Sequence, residues 1–339
     1  MLDVVSMTQK HIQKAKFTVA ASDIQNHVAF NSLLKKKRVA IKSGNAIQWQ
    51  VMTKHGGAAK VTGLFAQDDV NYVSVMQTAN IPWRHVTTNY AIDEIMIAMN
   101  SKPAQIVDLV KVGRIQAFIG LAELMEELFW TDTAAADTDN PLGVPYYIVR
   151  NASAGFNGGN PTYDATNGAA NLDSSTYTRW ANWTDRYVSV TKTDLIRRLR
   201  KAAVFTKFVN PVAAPTYSTG DDRGLYTNYD VVGALEEKLE DQNDNLGNDI
   251  ASKDGKTVFR GTPITHVPYL DSAAGQAAQD PIYGINWGDF KVAILHGRWL
   301  KELGPFRAAH NHTVAETHID ASYNLMCTDR RKQFILDVA

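Results

Sequence analysis

Gly304, His310, His312 and Glu316 stand at spacings that could hold a metal ion. Alternate residues of an extended strand face the same way, so a His-x-His pair can aim two imidazole nitrogens at one ion, and a nearby glutamate adds an oxygen donor. His318 offers a substitute imidazole. The chemistry implied is that of a metal centre on a sheet.

That run resembles the start of the first cupin motif, which implies a cupin-like metal-dependent enzyme as one reading. The resemblance stops at Tyr323, where the motif carries glycine. Only 23 residues follow Glu316, too few for a second motif with its third histidine. Polar strand or loop histidines are the competing reading, and the expectation is a chain that is not an enzyme and takes no cofactor and no metal.

Other catalytic patterns are weaker. Neither a P-loop nor a G-x-G-x-x-G occurs, and the glycines at 155, 158 and 159 lie in a polar stretch without the strand-to-helix setting of a phosphate cradle. There is no G-x-S-x-G elbow. Cys327, the single cysteine, follows Asn324, Leu325 and Met326 and reads as a small core residue. One cysteine gives no disulfide framework and no cysteine zinc site, so the fold must hold by packing or association. The acid pairs Asp68-Asp69, Asp93-Glu94 and Glu236-Glu237 are adjacent, so on regular elements their members diverge and are solvated. Trp180 and Trp183 are the close tryptophan pair, suited to a carbohydrate face or, equally, to anchoring between subunits.

The chain has 339 residues with 35 basic and 35 acidic side chains, a formal net charge of zero. That balance argues against affinity gained by blanketing nucleic acid or anionic lipid. The N-terminal sequence lacks a signal peptide's apolar core and is expected to remain in the mature chain. The apolar stretch at 103–130 is broken by Asp108, Lys111, Arg114 and Glu123, which excludes it as a membrane span.

The elements that would position these residues alternate between periods. After a polar start and a short helix at 23–34, the run Lys35-Lys36-Lys37-Arg38 reads as a solvated helix end. Ile47, Trp49 and Val51 then alternate with polar residues, the chain passes His55, Gly56 and Gly57, and it returns through Val70, Tyr72, Val73 and Val75. This predicts a long two-stranded excursion, marginal alone and in need of a neighbouring surface. Strand-like sequence follows through Trp83, Arg84, Val86, Tyr90 and Ile92.

Pro103 suits a first helical turn, and Ile106, Leu109, Val110, Gly113, Ala117, Leu121, Leu124 and Leu128 recur at three- and four-residue steps. This predicts a long amphipathic helix with one buried stripe, its small residues Gly113, Ala117 and Gly120 allowing close packing. Residues 131–175 are rich in small polar types and turn signals, and are expected to be an exposed irregular loop region. Thr193-Asp194 can cap a helix with Leu195, Ile196, Leu199, Ala202 and Ala203 inward and Arg197, Arg198, Arg200 and Lys201 outward. A further helix is expected through Asp230, Val231, Leu235 and Leu239, then a turn at Asp254-Gly255 and mostly strands to the end. No internal repeat occurs, and the mixture without a βαβ rhythm predicts the α+β class.

This order of parts resembles the major capsid proteins of tailed bacteriophages, which share the Hong Kong 97 fold. The resemblance implies an N-terminal arm at 1–45, an E-loop with flanking strands at 46–100, a P-domain spine helix at 101–137, a loop-rich A domain at 138–300, and returning strands at 301–339. The stretch at 259–270, with Gly261-Thr262-Pro263 and then Pro268, resembles the family's Gly-x-Pro strand; 323–333 resembles its closing strand and basic turn.

The implied function is self-assembly into pentamers and hexamers of an icosahedral head enclosing double-stranded DNA without sequence-specific binding. The implied site is in the virion after assembly in the host cytoplasm, with scaffolding, portal and decoration proteins as partners. An encapsulin-like nanocompartment shares the fold and is the nearest alternative. The expected subunit interface comprises Trp49, Lys54, His55, Gly56, Gly57, Lys60, Asp68, Asp69, Trp83 and Arg84. Lys54 and Lys60 sit where one branch of the family carries a cross-linking lysine, although no asparagine or acid partner is assigned. Any scaffold is expected to be a separate protein or absent, and Gly113 and Gly120 are the expected flex points of the spine helix.

Overall fold

Alternation sets the first strands. The computed structural model describes residues 27–31, 38–57, 59–65, 73–99, 109–208, 222–240, 257–274 and 277–339. The expectations for residues 1–26, Lys35, Lys36, Lys37, Asp68, Asp69, Val70, Tyr72, Pro103, Ile106 and the Asp254-Gly255 turn lie outside the described residues. Arg38 opens strand β1 (Arg38–Ile41) rather than closing a helix, and its guanidinium lies 5.5 Å from the Trp299 ring centroid. In β2 (Ala46–Met52), Ile47, Trp49 and Val51 are buried and the residues between them exposed, as a two-residue period requires.

The partner strand begins later than the sequence suggests. It is β3 (Met76–Pro82), antiparallel to β2, with Ile47 opposite Ile81 and Trp49 opposite Ala79. Val73 and Val75 precede it in irregular chain. The inward residues of β3 are Ala79 and Ile81, and one of these is too small to give a clear apolar alternation. Next come β4 (Arg84–Asp93) and a short helix α1 (Glu94–Met99).

The long helix α2 (Leu109–Trp130) packs along β4. Its covered face runs through Ala117, Leu121, Met125 and Phe129, with Leu128 partly buried. Val110 and Leu124, expected in the buried stripe, are exposed. The helix is apolar on more than one face, so counting three- and four-residue steps could not choose between the faces. Gly113 lies against Tyr90, where an added Cβ would meet the ring at an ordinary 3.6 Å, and at Gly120 it would meet nothing. Neither glycine is required for close approach.

The remaining elements are α3 (Val144–Tyr147), β5 (Trp183–Tyr187), α4 (Leu195–Phe205), β6 (Arg223–Thr227), α5 (Tyr229–Glu240), β7 (Val258–Phe259), β8 (Thr262–His266), β9 (Ile282–Asn286), β10 (Phe290–Leu295), β11 (Lys301–Arg307), β12 (Val314–Cys327) and β13 (Phe334–Val338). The turn between β7 and β8 holds Arg260 at φ 49° and Gly261 at φ 80°. Consecutive left-handed residues match the twist of a tight hairpin, which explains the glycine there.

One sheet has the order β1-β10-β12-β11, with β4 also paired to β12. The other has the order β5-β13-β9-β6-β8-β7. Thus β10, within the span 138–300, belongs with β1 and β12, and the chain returns through β13 to the second sheet. The C-terminal end of α2 joins the two. Trp130 lies 5.6 Å from Tyr226 of β6 and 5.9 Å from Tyr283 of β9 between ring centroids, while Phe129 meets Trp287 at 6.0 Å.

The stretch expected to be an exposed loop is largely a packed layer. Tyr146, Tyr147, Ala169, Ala170, Leu172 and Trp180 are buried. Its polar side chains hold its own backbone instead of facing water: Asn160 donates to Ala165 O and accepts from Ser174 N, and Asn182 donates to Val149 O and accepts from Val149 N. A Cβ on Gly158 would fall within 1.8 Å of Asn182 Oδ1, so the close approach demands glycine. Arg330 completes the layer. It is fully buried and donates to the carbonyls of Tyr147 at 2.7 Å, Trp180 at 2.9 Å and Gly159 at 2.9 Å, so the tail's expected basic turn begins with an internal strut.

Candidate assembly surfaces

The β2–β3 hairpin carries most of the residues that sequence reasoning assigned to subunit contacts, and the protomer divides them. Trp49 is buried in the protomer's own core, with its indole Nε1 unpartnered among the described residues. Trp83 is half-buried and donates Nε1 to Gly44 O at 2.9 Å. Arg84 donates to the Tyr163 hydroxyl at 2.6 Å and stacks over the same ring. These three are engaged within one subunit. Lys54, just past the loop-side end of β2, is exposed, with its ammonium 5.8 Å from the Tyr177 ring centroid, a contact that leans this end of the hairpin on the packed layer.

Beyond the strand ends, His55, Gly56, Gly57 and Lys60 are exposed. Gly57 adopts φ 65°, a left-handed conformation that favours glycine. Sequence reasoning missed the apolar residues that follow. Val61, Leu64 and Phe65 are fully exposed. Their i, i+3, i+4 spacing fits a single helical turn, too short a run to mark an element, and only the geometry reveals that nothing within the described chain covers them. Further exposed apolar residues lie on α1, at Ile95, Met96 and Met99, and on α2, at Val110 and Leu124. Such groups are the kind that protein partners cover.

The metal reading fails geometrically. His310 and His312 lie in the exposed turn between β11 and β12, before β12 begins at Val314, so strand alternation does not align them. Glu316 is on β12, opposite Phe306, and its carboxylate is 4.0 Å from His318 Nε2. Among the described residues no group of three or more His, Cys, Asp or Glu could hold a metal ion. Cys327 is buried, which pushes its thiol pKa well up and away from nucleophilic chemistry. No helix among the described residues is long and apolar enough to cross a membrane.

No protein-family model and no curated protein matches the chain. Solved structures do. The capsid asymmetric unit of cyanophage A-1(L) aligns at a TM-score of 0.63 and 15% identity, covering 98% of this chain and 99% of that one. The capsid of the native GTA particle aligns at 0.63 and 12%, covering 98% and 95%. Gordonia phage Cozz aligns at 0.53 and 12%, covering 98% and 91%. Likeness over nearly the whole length, at identities this low, is likeness of fold. The chain has the fold of these phage capsid subunits, the Hong Kong 97 type of mixed helix and sheet that its order of elements resembles.

Proposed function

We propose that this chain is the major capsid protein of a tailed bacteriophage, forming pentamers and hexamers of an icosahedral head around double-stranded DNA. The observation that carries the reading is the β2–β3 excursion, which ends in the fully exposed Val61, Leu64 and Phe65 on a chain whose fold is that of capsid subunits. A two-stranded hairpin with an apolar tip is unfavourable in water until a neighbouring subunit covers it. Near-neutral charge supports close packing of many copies, since net repulsion is small.

In this reading residues 1–45 are the arm, the hairpin is the E-loop, α2 is the spine helix, the β4/β10/β12 sheet belongs to the P domain and the β5–β13 sheet to the A domain. The A-domain span then ends before Phe290. Lys54, His55, Gly56, Gly57 and Lys60 form the interface next to the tip. The shell sits in the virion after assembly in the host cytoplasm, with scaffolding, portal and decoration proteins as its other partners. Deleting residues 54–65 tests the reading: the deleted chain should fold and fail to form shells seen by negative-stain microscopy. A deleted chain that assembles like the parent removes the basis of the proposal.

A further inference from the structure

Helices α4 and α5 carry opposite charge at opposite ends of one sheet. In α4, Arg197, Arg200 and Lys201 follow three- and four-residue steps and therefore share a face, and all are exposed. Val204 continues that face, and Val204 and Phe205 are both more than half exposed. The opposite face, Leu195, Leu199 and Ala202, is buried. In α5, Asp230 and Glu237 are seven residues apart on one face, with Glu236 on one side of Glu237 and Lys238 on the other, and all four are exposed, so three acids stand against one base. Tyr229, also exposed, adjoins Asp230.

The sheet fixes their separation. Helix α4 packs on β5, the strand at one edge, whereas α5 packs on β8, next to the other edge. Arg198 is ion-paired inside the chain, to Asp185 at 2.6 Å and Asp194 at 2.5 Å. Arg197, Arg200, Lys201, Asp230, Glu236 and Glu237 make no ion pair among the described residues; Lys201 lies over the Trp183 ring and Glu236 accepts from Thr257.

We infer that copies of this chain associate head to tail, the basic face of α4 on one copy meeting the acidic face of α5 on the next. Two different complementary patches on one molecule make a heterologous contact, which closes into a ring when the rotation between copies divides a full turn. A second copy is the partner favoured here because both signs are present on helices packed toward opposite edges of the same sheet, and no ion pair joins the two faces within the described subunit. The inference deepens the shell reading and rests on it. It adds which surfaces select the neighbour within a ring, with charge steering the approach and Val204, Phe205 and Tyr229 supplying apolar contact.

Charge reversal of the full chain tests it. One variant carries Arg197→Glu with Arg200→Glu, a second carries Asp230→Lys with Glu237→Lys, and a third carries all four. Each single-face variant should keep the parent's circular dichroism and melting temperature, yet need at least ~10-fold more protein to form rings or shells, because like charges now face each other. The four-fold variant should return to the parent's assembly concentration, and an equimolar mixture of the two single-face variants should co-assemble. Single-face variants that assemble like the parent, or a four-fold variant as defective as they are, overturn the pairing while leaving the shell reading in place. An α4 variant that assembles normally but encloses less DNA overturns it in favour of a nucleic-acid-facing helix. A parent that forms neither rings nor shells overturns the shell reading, and the pairing with it.

Discussion

Glu126 on α2 accepts the backbone N–H of Ala29 at 3.0 Å, joining residues 97 apart in the chain. Its other carboxylate oxygen accepts from Phe30 N at 2.8 Å, and the first also accepts from the Trp130 indole at 2.9 Å. An acid in the middle of a buried helix face thereby ties the short helical turn at 28–31 to the helix that joins both sheets. Glu126→Leu leaves three donors without an acceptor and should destabilise the subunit by about 3 kcal/mol or more. Glu126→Gln, with one acceptor oxygen left, should fall between. Urea denaturation measures both, and hydrogen exchange at Ala29 and Phe30 should speed up in each.

Arg330 is a guanidinium held by carbonyls rather than by a carboxylate. Burial pulls its pKa down to about 10, a sign that desolvation is the dominant influence on it. Lysine cannot reproduce its planar fork, so Arg330→Lys should cost about 2–4 kcal/mol through unpaired carbonyls of Tyr147, Trp180 and Gly159. Thermal unfolding checks this, and an unchanged melting temperature would show that the packed layer does not depend on the strut.

Trp49 and Phe65 separate folding from assembly. Trp49→Ala empties a buried site and should destabilise the isolated subunit by about 3–5 kcal/mol. Replacing Val61, Leu64 and Phe65 by Ser removes only exposed groups and should leave subunit stability within about 0.5 kcal/mol while lowering shell yield. Chemical denaturation paired with sedimentation distinguishes the two effects.

Gly120 tests the expected flex point of α2. With open space where a Cβ would stand, Gly120→Ala should stabilise the subunit by about 0.5–1 kcal/mol. A drop in melting temperature would contradict that placement.

Asp194 gives an acid-limb signature. A hydrogen bond from Arg198 and then one from Val188 N hold its carboxyl below the usual carboxylate range. A folded pKa below the unfolded one means the stabilisation is present above about pH 4 and is lost as pH falls through the folded value. Asp194→Asn should therefore lower the melting temperature near neutrality and narrow the gap to the parent in strong acid.

Much of the scaffold was legible because period and burial coincide. Ile47, Trp49 and Val51 alternate and are buried, and Leu195, Leu199 and Ala202 mark the inner face of α4. Other features depend on partners distant in sequence. Glu126 and Arg330 look like surface charges until their backbone partners are brought to them. The polar residues at 131–175 resemble a solvated loop because composition does not say whether a side chain such as Asn160 bonds to water or to backbone. Val61, Leu64 and Phe65 stand at i, i+3 and i+4, but three apolar residues in one turn are too short a pattern to select as an element, and their exposure shows only in the geometry.

On the proposed reading this subunit builds a closed shell from interlocked hairpins. Electron microscopy of the purified parent chain beside the Val61, Leu64 and Phe65 serine variant is the most direct measurement. The parent should give icosahedral shells or capsomer rings, and the variant folded, unassembled subunits. A parent that stays monomeric, or a variant that closes shells as readily as the parent, would contradict it.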